Sequence, residues 1–448
     1  PALCRKLMDY TPHTQEDIDQ MLRTIGVSTV EDLFGEVPEG LRLGRDLDLA
    51  KPLTEMEVMD QIASLARKNR SVEELKCFAG GGAYEHYIPA PVRHLAYRAE
   101  FATSYTPYQP ELSQGVLGAL FEFQTMVCEL AGMEVSNASL YDGASSLVEA
   151  VNLAAGVTGR NTVVVSEAIN PNYREVMETF GAGPGYEFVT ASASEGVTRL
   201  PDLDQAACVI VGQPNFFGMV EDLPAIAEEA HEAGALLIVH FDPLSAGVLE
   251  TPGALGADVV TGEGQSLGNE LMFGGPYLGL FATKTEHVRR VPGRITGATL
   301  DANGQPGFVL TLQAREQHIR REKANSNVCT NQTLMAIVAT VYLSWLGPQG
   351  LKELGETCLA RTRYAAQLLS SVPGCSLRFE GPFFKEFVLQ VPGQSAEVAR
   401  QLADRGYLVG PSLERFDGFE NCILVAVTEK RTAEDIEGLA KVLAEVVA

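Results

Sequence analysis

The sequence predicts an α/β protein. It has a helical N-terminal arm over residues 1–75, a large domain on a mostly parallel sheet over 76–330 and a small C-terminal α+β domain over 331–448. Two observations carry this prediction. Between about residues 161 and 283, short Val/Ile/Leu runs alternate with helical patterns, the mark of strands buried on both faces and joined by crossover helices. On either side of that region the period changes, to capped helices before it and to helices followed by alternating strands and helices after it. A chain of 448 residues, 46% hydrophobic and 21% charged, can hold a full core and a second, smaller one.

In the arm, Thr14 to Asp17, Ser28 to Glu31, Thr54 to Glu57 and Ser71 to Glu74 each have the form of a capping box or its Asp variant. Ile18, Met21, Leu22 and Ile25 make one apolar face; Met56, Met59, Ile62 and Leu65 make another. Such stripes need a cover, supplied by the chain's own large domain or by a partner subunit.

Residues Phe78 to Pro89 contain a glycine run, Gly80-Gly81-Gly82. No Lys-Ser/Thr follows it and no strand-to-helix fingerprint frames it, so a close-packed loop beside the Ser104–Pro110 segment is expected rather than a phosphate loop. Ser104-Tyr105-Thr106-Pro107-Tyr108-Gln109-Pro110 is a hydroxyl-rich loop stiffened by two prolines. It reads either as a surface turn or as a contact for a polar ligand. A helical pattern through Leu112, Val116, Leu117, Leu120, Phe121, Val127 and Leu130 ends at Gly132, and a second helix follows Asp142-Gly143.

Strands are expected at Thr162–Val165, Tyr186–Thr190, Cys208–Gly212, Ala235–Phe241, Val259–Thr261 and Tyr277–Thr283, with helices from Pro171 and Ala225. Beyond Gln313, the basic stretch Arg315–Lys323 reads as a helix, either a solvated face or a docking face for a partner. Val328–Leu346 and Leu351–Val372 follow as helices broken at Gly347-Pro348. Leu377–Glu380, Phe387–Val391 and Ile423–Val427 are strands, with Ala396–Asp404 and Ala433–Val447 as the last helices.

The formal net charge of −24 disfavours nucleic acid and anionic membrane as partners. No apolar run reaches the roughly 18 residues of a bilayer span, and the first residues show no signal-peptide core. A cytoplasmic location is expected. The eight cysteines form no C-x-x-C pair and the seven histidines show no metal-ligand spacing, so buried free thiols and no structural metal are expected.

The segments SYTPYQPELSQG, FEFQTMVCELAGM, SNASLYDGAS, TLQAREQHIRREKANSNVCTNQ and LVAVTEKRT, with the N-terminal DIDQMLRTIGVSTVEDLFGEVP, closely resemble the glycine decarboxylase P-protein of the glycine cleavage system. The resemblance spans nearly the whole chain and implies fold type I of the pyridoxal-phosphate transferases, the aminotransferase-like fold. In that fold an Asp at the end of a central strand meets the pyridinium nitrogen, and Asp242 stands there. Alone, such an Asp is more often a helix cap or turn residue. The fold also places a lysine after the next strand to hold the cofactor as an imine. Here Gln265-Ser266 occupies that place, and the loop from Asp258 to Glu270 contains no lysine. The nearest lysine downstream, Lys284, reads as a surface residue.

P-proteins exist as one long chain or as two subunits, and this chain resembles the first half. The resemblance therefore implies the first subunit of the two-subunit form. Pyridoxal phosphate would be held by the lysine-bearing second subunit in an α2β2 assembly. The reaction would be glycine decarboxylation, with the aminomethyl group passed to lipoylated H-protein. Ser104, Tyr105, Thr106, Tyr108 and Gln109 are then expected in the partner's active site, with Asp242, Gln265 and Ser266 as a vestigial cofactor site. Two other readings stand beside this one: a stand-alone enzyme using Lys284, and a scaffold with no residue in any active site.

Overall fold

The computed structural model describes residues 12–272 and 274–448. They fall into two compact units that divide between Asn69 and Arg70.

In the first unit, α1 (Gln15–Ile25) and α2 (Glu55–Ala66) begin at Thr14 and Thr54, both in complete capping boxes. The other two box patterns form no such helix. Asp32, not Glu31, accepts the Ser28 and Thr29 amides ahead of a short 3-10 turn, and Ser71 opens only a turn. Met21, Ile25, Met56, Met59, Ile62 and Leu65 are all exposed.

The second unit is organised on a seven-stranded sheet, order β2-β8-β7-β6-β5-β3-β4. Its strands are β2 (Val135–Ser136), β3 (Thr162–Ser166), β4 (Glu187–Ala191), β5 (Ala206–Gln213), β6 (Leu236–Phe241), β7 (Val259–Glu263) and β8 (Gly279–Thr283). β3 to β7 run parallel and β8 antiparallel to its neighbours. β5 is buried at every position, which explains its continuous apolar run. Val209 and Val211 enter the core beneath α3 (Gln114–Ala131), while Cys208 and Ile210 enter the core beneath α4 (Gly143–Thr158) and α5 (Pro171–Gly181). Each such side chain contributes about 1.5–3 kcal/mol of burial.

The helix from Gln114 begins later than its apolar pattern suggests. Leu112 lies in a 3-10 turn and is exposed, and Gly132 closes the helix at φ 67°. α6 (Leu223–Glu232) is the crossover before β6. The hairpin β9 (Ile295–Leu300) and β10 (Pro306–Thr311) lies outside the main sheet. Arg315–Lys323 is not one helix. It breaks into 3-10 turns and a four-residue helix because Arg321 takes φ 54° and Arg315 donates to the Val291 and Gly293 carbonyls. Glu316 is buried.

α7 (Thr333–Ser370) is long and apolar enough, by length and composition, to cross a bilayer, unlike any continuous run in the sequence. It is a core helix instead. Met335 to Leu343 pack on the sheet, Ala365 to Leu369 pack in the C-terminal core, and Gly347 at φ 61° breaks it between them. The C-terminal core sits under β11 (Ser376–Leu377), β12 (Glu386–Gln390) and β14 (Cys422–Ala426), an antiparallel sheet, with α8 (Ser395–Asp404) and α9 (Ala433–Val447). β1 (Lys76–Ala79) pairs with β13 (Tyr407–Gly410), in parallel. The segment just after residue 75 is thus tied to the C-terminal part of the chain.

Glu149 on α4 is buried, and burial pushes its carboxyl up to about 7 despite bonds from Ser326 and Asn152. A raised native pKa means stability that is present below the unfolded value and lost as pH rises through the native one. Between about pH 4.5 and 7 this group is expected to cost on the order of 3 kcal/mol. Urea unfolding of Glu149→Gln across that range should show a correspondingly flatter decline than the parent chain; equal slopes would contradict this.

Candidate functional site at the carboxyl edge of the sheet

β6 delivers Asp242 to the carboxyl edge of the parallel strands, the edge at which open α/β sheets bind ligands. Its backbone N–H donates to Gln213 at the end of β5. One carboxylate oxygen accepts the Leu244 amide at 3.0 Å. The other is paired with the ammonium of Lys385. Asp242 is thus a turn cap and half of a buried ion pair.

Lys385 reaches this point from the strand opposite, just before β12. Its side chain is 1% exposed, its ammonium lies 3.5 Å from the centre of the Tyr84 ring and 3.4 Å from His86 Nε2. Its backbone stands at φ 62°, a conformation costing a non-glycine residue roughly 1–2 kcal/mol. Bonds from its neighbours hold it there: Val427 N–H donates to its carbonyl and Glu386 N–H to that of Phe384. Burial lowers the His86 pKa, and the Lys385 charge lowers it further. The imidazole is therefore neutral, with Nδ1–H donating to Glu429 at 2.7 Å. Glu429 also accepts the Tyr87 amide at 2.6 Å.

Among the described residues, His86, Cys358 and Glu429 bring three potential ligand atoms within 4.8 Å of one another, a cluster invisible in sequence spacing. The Lys385 charge on the far nitrogen of His86 opposes a second cation there, so these side chains form a hydrogen-bond relay.

The glycine loop after β1 is packed as closely as its composition suggests. A Cβ on Gly80 would lie 1.9 Å from Glu386 Oε1 and 2.6 Å from Ala426 Cβ. Its neighbours are Glu386, Asn170, Tyr173 and Phe216, and not the Ser104–Pro110 loop. Gly81 N–H donates to Glu386 at 2.6 Å, and burial pushes that carboxyl up to about 7.

Gln265 follows β7 and is 2% exposed. Its amide accepts Tyr84 N–H at 2.9 Å and donates to the carbonyls of Tyr84 at 3.1 Å and Asn269 at 2.8 Å. Ser266 beside it is buried. On β7, Glu263 accepts amides from Gly143 at 2.9 Å, Gln265 at 2.9 Å and Leu278 at 3.0 Å. Burial pushes its carboxyl up to about 8 against those bonds. His240 is half-buried, its pKa is lowered to about 4 by desolvation, and its ring is set edge-on to Tyr173 at 5.2 Å. The cavity bounded by Asp242, His240, Tyr173, Tyr84 and Glu386 measures about 60 Å³.

That space does not fit pyridoxal phosphate. Small-molecule sites begin near roughly 300 Å³, the Asp242 carboxylate is already paired, and no amine stands at Gln265. Lys385, the amine beside the pocket, is held by Asp242. A larger hollow of about 590 Å³ lies between α4 and α5, under Tyr141, Phe180 and Tyr186, and shares no residue with the sheet-edge cavity.

Lys284 lies at the other edge of the sheet. β8 runs antiparallel, so Thr283 pairs with Val259 at the start of β7, and the Lys284 ammonium binds Asp258. This separates it from Asp242. Tyr105 is 80% exposed and Tyr108 54%; Gln109 is exposed, while Ser104 and Thr106 are half-buried. Tyr108 lies against Arg294 and His318. The loop contributes nothing to this chain's own sheet-edge cavity.

The cysteines that the structure describes are free. Cys77, Cys208, Cys358, Cys375 and Cys422 are buried as expected, whereas Cys128 is half-buried and Cys329 exposed; Cys4 lies outside the described residues.

Lys385, Glu263, His86 and Glu429 escaped the sequence analysis. Two of them carried a signal, since Glu429 falls within LVAVTEKRT and His86 within the glycine stretch. A Lys-Glu pair interrupting the apolar run from Phe383 to Val388 was the available sign of Lys385.

A mainly parallel sheet with an acidic residue at the carboxyl edge and a small C-terminal α+β part defines fold type I of the pyridoxal-phosphate enzymes. The chain superposes on a glutamate decarboxylase of Lactobacillus brevis at TM-score 0.66 and 13% identity, covering 93% of this chain and 97% of that one. It also superposes on an alanine–glyoxylate aminotransferase of Nostoc at TM-score 0.59 and 16% identity, covering 90% and 98%. Residues 8–443 match the model of the glycine cleavage system P-protein family, and the chain belongs to that family. It is 50% identical over 439 residues to a probable glycine dehydrogenase (decarboxylating) subunit 1 of Desulforamulus reducens, covering 97% of this chain and 98% of the relative. The same subunit of Moorella thermoacetica is 48% identical over 447 residues, covering 98% and 100%. A crystal structure of inhibitor-bound glycine decarboxylase (P-protein) of the glycine cleavage system matches at TM-score 0.90 and 46% identity, covering 98% and 100%.

Because Gln265 holds Tyr84 through both backbone groups, Gln265→Ala should remove about 3 kcal/mol, at about 1 kcal/mol per bond. A urea midpoint within error of the parent chain would contradict this.

Proposed function

We propose that this chain is subunit 1 of a two-subunit glycine dehydrogenase (decarboxylating), and that it carries no cofactor of its own. Pyridoxal phosphate is held by a lysine of the second subunit, in a cytoplasmic α2β2 assembly. That assembly decarboxylates glycine and passes the aminomethyl group to lipoylated H-protein. The observation that carries this reading is the sheet edge. Gln265 follows β7, where the family resemblance implies an imine-forming lysine, and Asp242 is already paired with Lys385. The place of Lys284 at the opposite edge argues against a stand-alone enzyme built on it. The sequence likeness to named subunits over whole chain lengths supports the partner.

In this reading Ser104, Tyr105, Thr106, Tyr108 and Gln109 serve the second subunit's site, since they sit on a proline-stiffened loop that leaves Tyr105 and Tyr108 exposed. Tyr105→Phe or Tyr108→Phe removes one hydroxyl with little change in packing. Each should lower turnover of the assembled enzyme about tenfold, equivalent to about 1.4 kcal/mol, with the complex intact. Parent rates in both variants would remove the loop from catalysis.

The reading itself is tested by borohydride reduction. The isolated chain, reduced with pyridoxal phosphate and mapped by peptide, should carry no stoichiometric label, and activity should arise only on mixing with the second subunit. A labelled lysine together with activity of the chain alone would refute it.

The exposed stripes of α1 and α2 are proposed to cover the partner. A chain lacking residues 1–69 should fold but lose co-elution with the second subunit; unchanged co-elution would count against this.

A further inference from the structure

We infer that Lys385 and Glu263 take, within this chain, the ring-nitrogen and phosphate places that a pyridoxal cofactor would fill, so that the sheet-edge pocket is completed by the protein's own side chains. The inference rests on the proposed reading of the chain as a subunit without cofactor, and adds how that state is built.

A pyridoxal phosphate has a ring nitrogen that seeks a carboxylate and a phosphate that seeks backbone amides at a helix start. Both receptors survive here, and both are spent internally. The carboxylate of Asp242 holds the Lys385 ammonium, which lies over the Tyr84 ring at 3.5 Å. The amino end of α4 opens with Gly143, whose absent Cβ would lie 2.9 Å from His240 and 3.3 Å from the Tyr173 hydroxyl, two residues that line the same cavity. Its amide is taken by Glu263 at 2.9 Å, and that of Ser145 by Asp142 at 2.7 Å. A third receptor, the amide of Gly81, is taken by Glu386 at 2.6 Å.

An ammonium that is 1% exposed needs a fixed counter-charge, and no solvent path through about 60 Å³ would relieve its loss. The pair is therefore structural in this chain, and removing either half leaves the other charge buried.

The test uses the full chain and pyridoxamine 5′-phosphate, which cannot form an imine with lysine and so reports the pocket alone. The parent chain should show no stoichiometric binding by equilibrium dialysis. Lys385→Ala should lower Tm by several degrees, and adding Asp242→Asn should recover most of that loss. Opening both ends, in Lys385→Ala/Glu263→Ser, should create binding of about one pyridoxamine 5′-phosphate per chain, with a rise in Tm on ligand addition. An unchanged Tm in Lys385→Ala, no recovery with Asp242→Asn, or no binding by the opened variant would each overturn the inference. Stoichiometric binding by the parent chain would instead defeat the functional reading beneath it. Should the variants fail to fold, acylation mapping of the parent chain decides: Lys385 is expected to be the slowest lysine to react, and reaction at the rate of exposed Lys352 would overturn the inference.

Discussion

A charged ammonium is stable in a protein interior only where a carboxylate is fixed to receive it, and that constraint organises the centre of this molecule. Lys385 belongs to the C-terminal sheet and Asp242 to the parallel sheet, so their pairing fixes one core against the other. Around it the segment after β1 is bound residue by residue to the stretch after β14. Thr428 donates to the Glu85 carbonyl at 2.7 Å, Arg431 pairs with Glu85 at 3.1 Å, and Tyr87 N–H donates to Glu429. Three consecutive residues, Glu85, His86 and Tyr87, thus anchor the seam between the cores.

The same arrangement accounts for two features that would otherwise be costly. Gly80 has no Cβ because Glu386 and Ala426 occupy that space, and Lys385, held in a left-handed conformation, pairs with Asp242. The strained backbone of Lys385 lies beside the sheet-edge pocket and is held there by its neighbours' hydrogen bonds. α7 complements the polar seam with an apolar one. Its first half belongs to the large core and its second to the small core, with the break at Gly347 setting the change of direction.

Outside this centre the chain exposes much that a closed globule would cover. Tyr105, Tyr108, Leu112, Ile319 and the stripes of α1 and α2 all face outward. Arg315 is turned back onto backbone carbonyls while Arg294, buried, ties Cys329 and Asn331 beneath Tyr108. These contacts give the exposed loop a firm base.

The amino-acid sequence by itself determined the parallel sheet, since a strand buried on both faces must be apolar throughout and β5 is. It determined the capped helices at Thr14 and Thr54, the stop at Gly132, the break at Gly347 and the place of Asp242, because each depends on neighbours a few residues away. It also contained the absence of lysine between Asp258 and Glu270. Only the tertiary structure decided what the Asp242 carboxylate meets. Its partner lies 143 positions further along the chain at Lys385, a separation that no periodicity or capping rule spans. The contacts of Arg315 with the carbonyls of Val291 and Gly293 are likewise made only once the chain has folded.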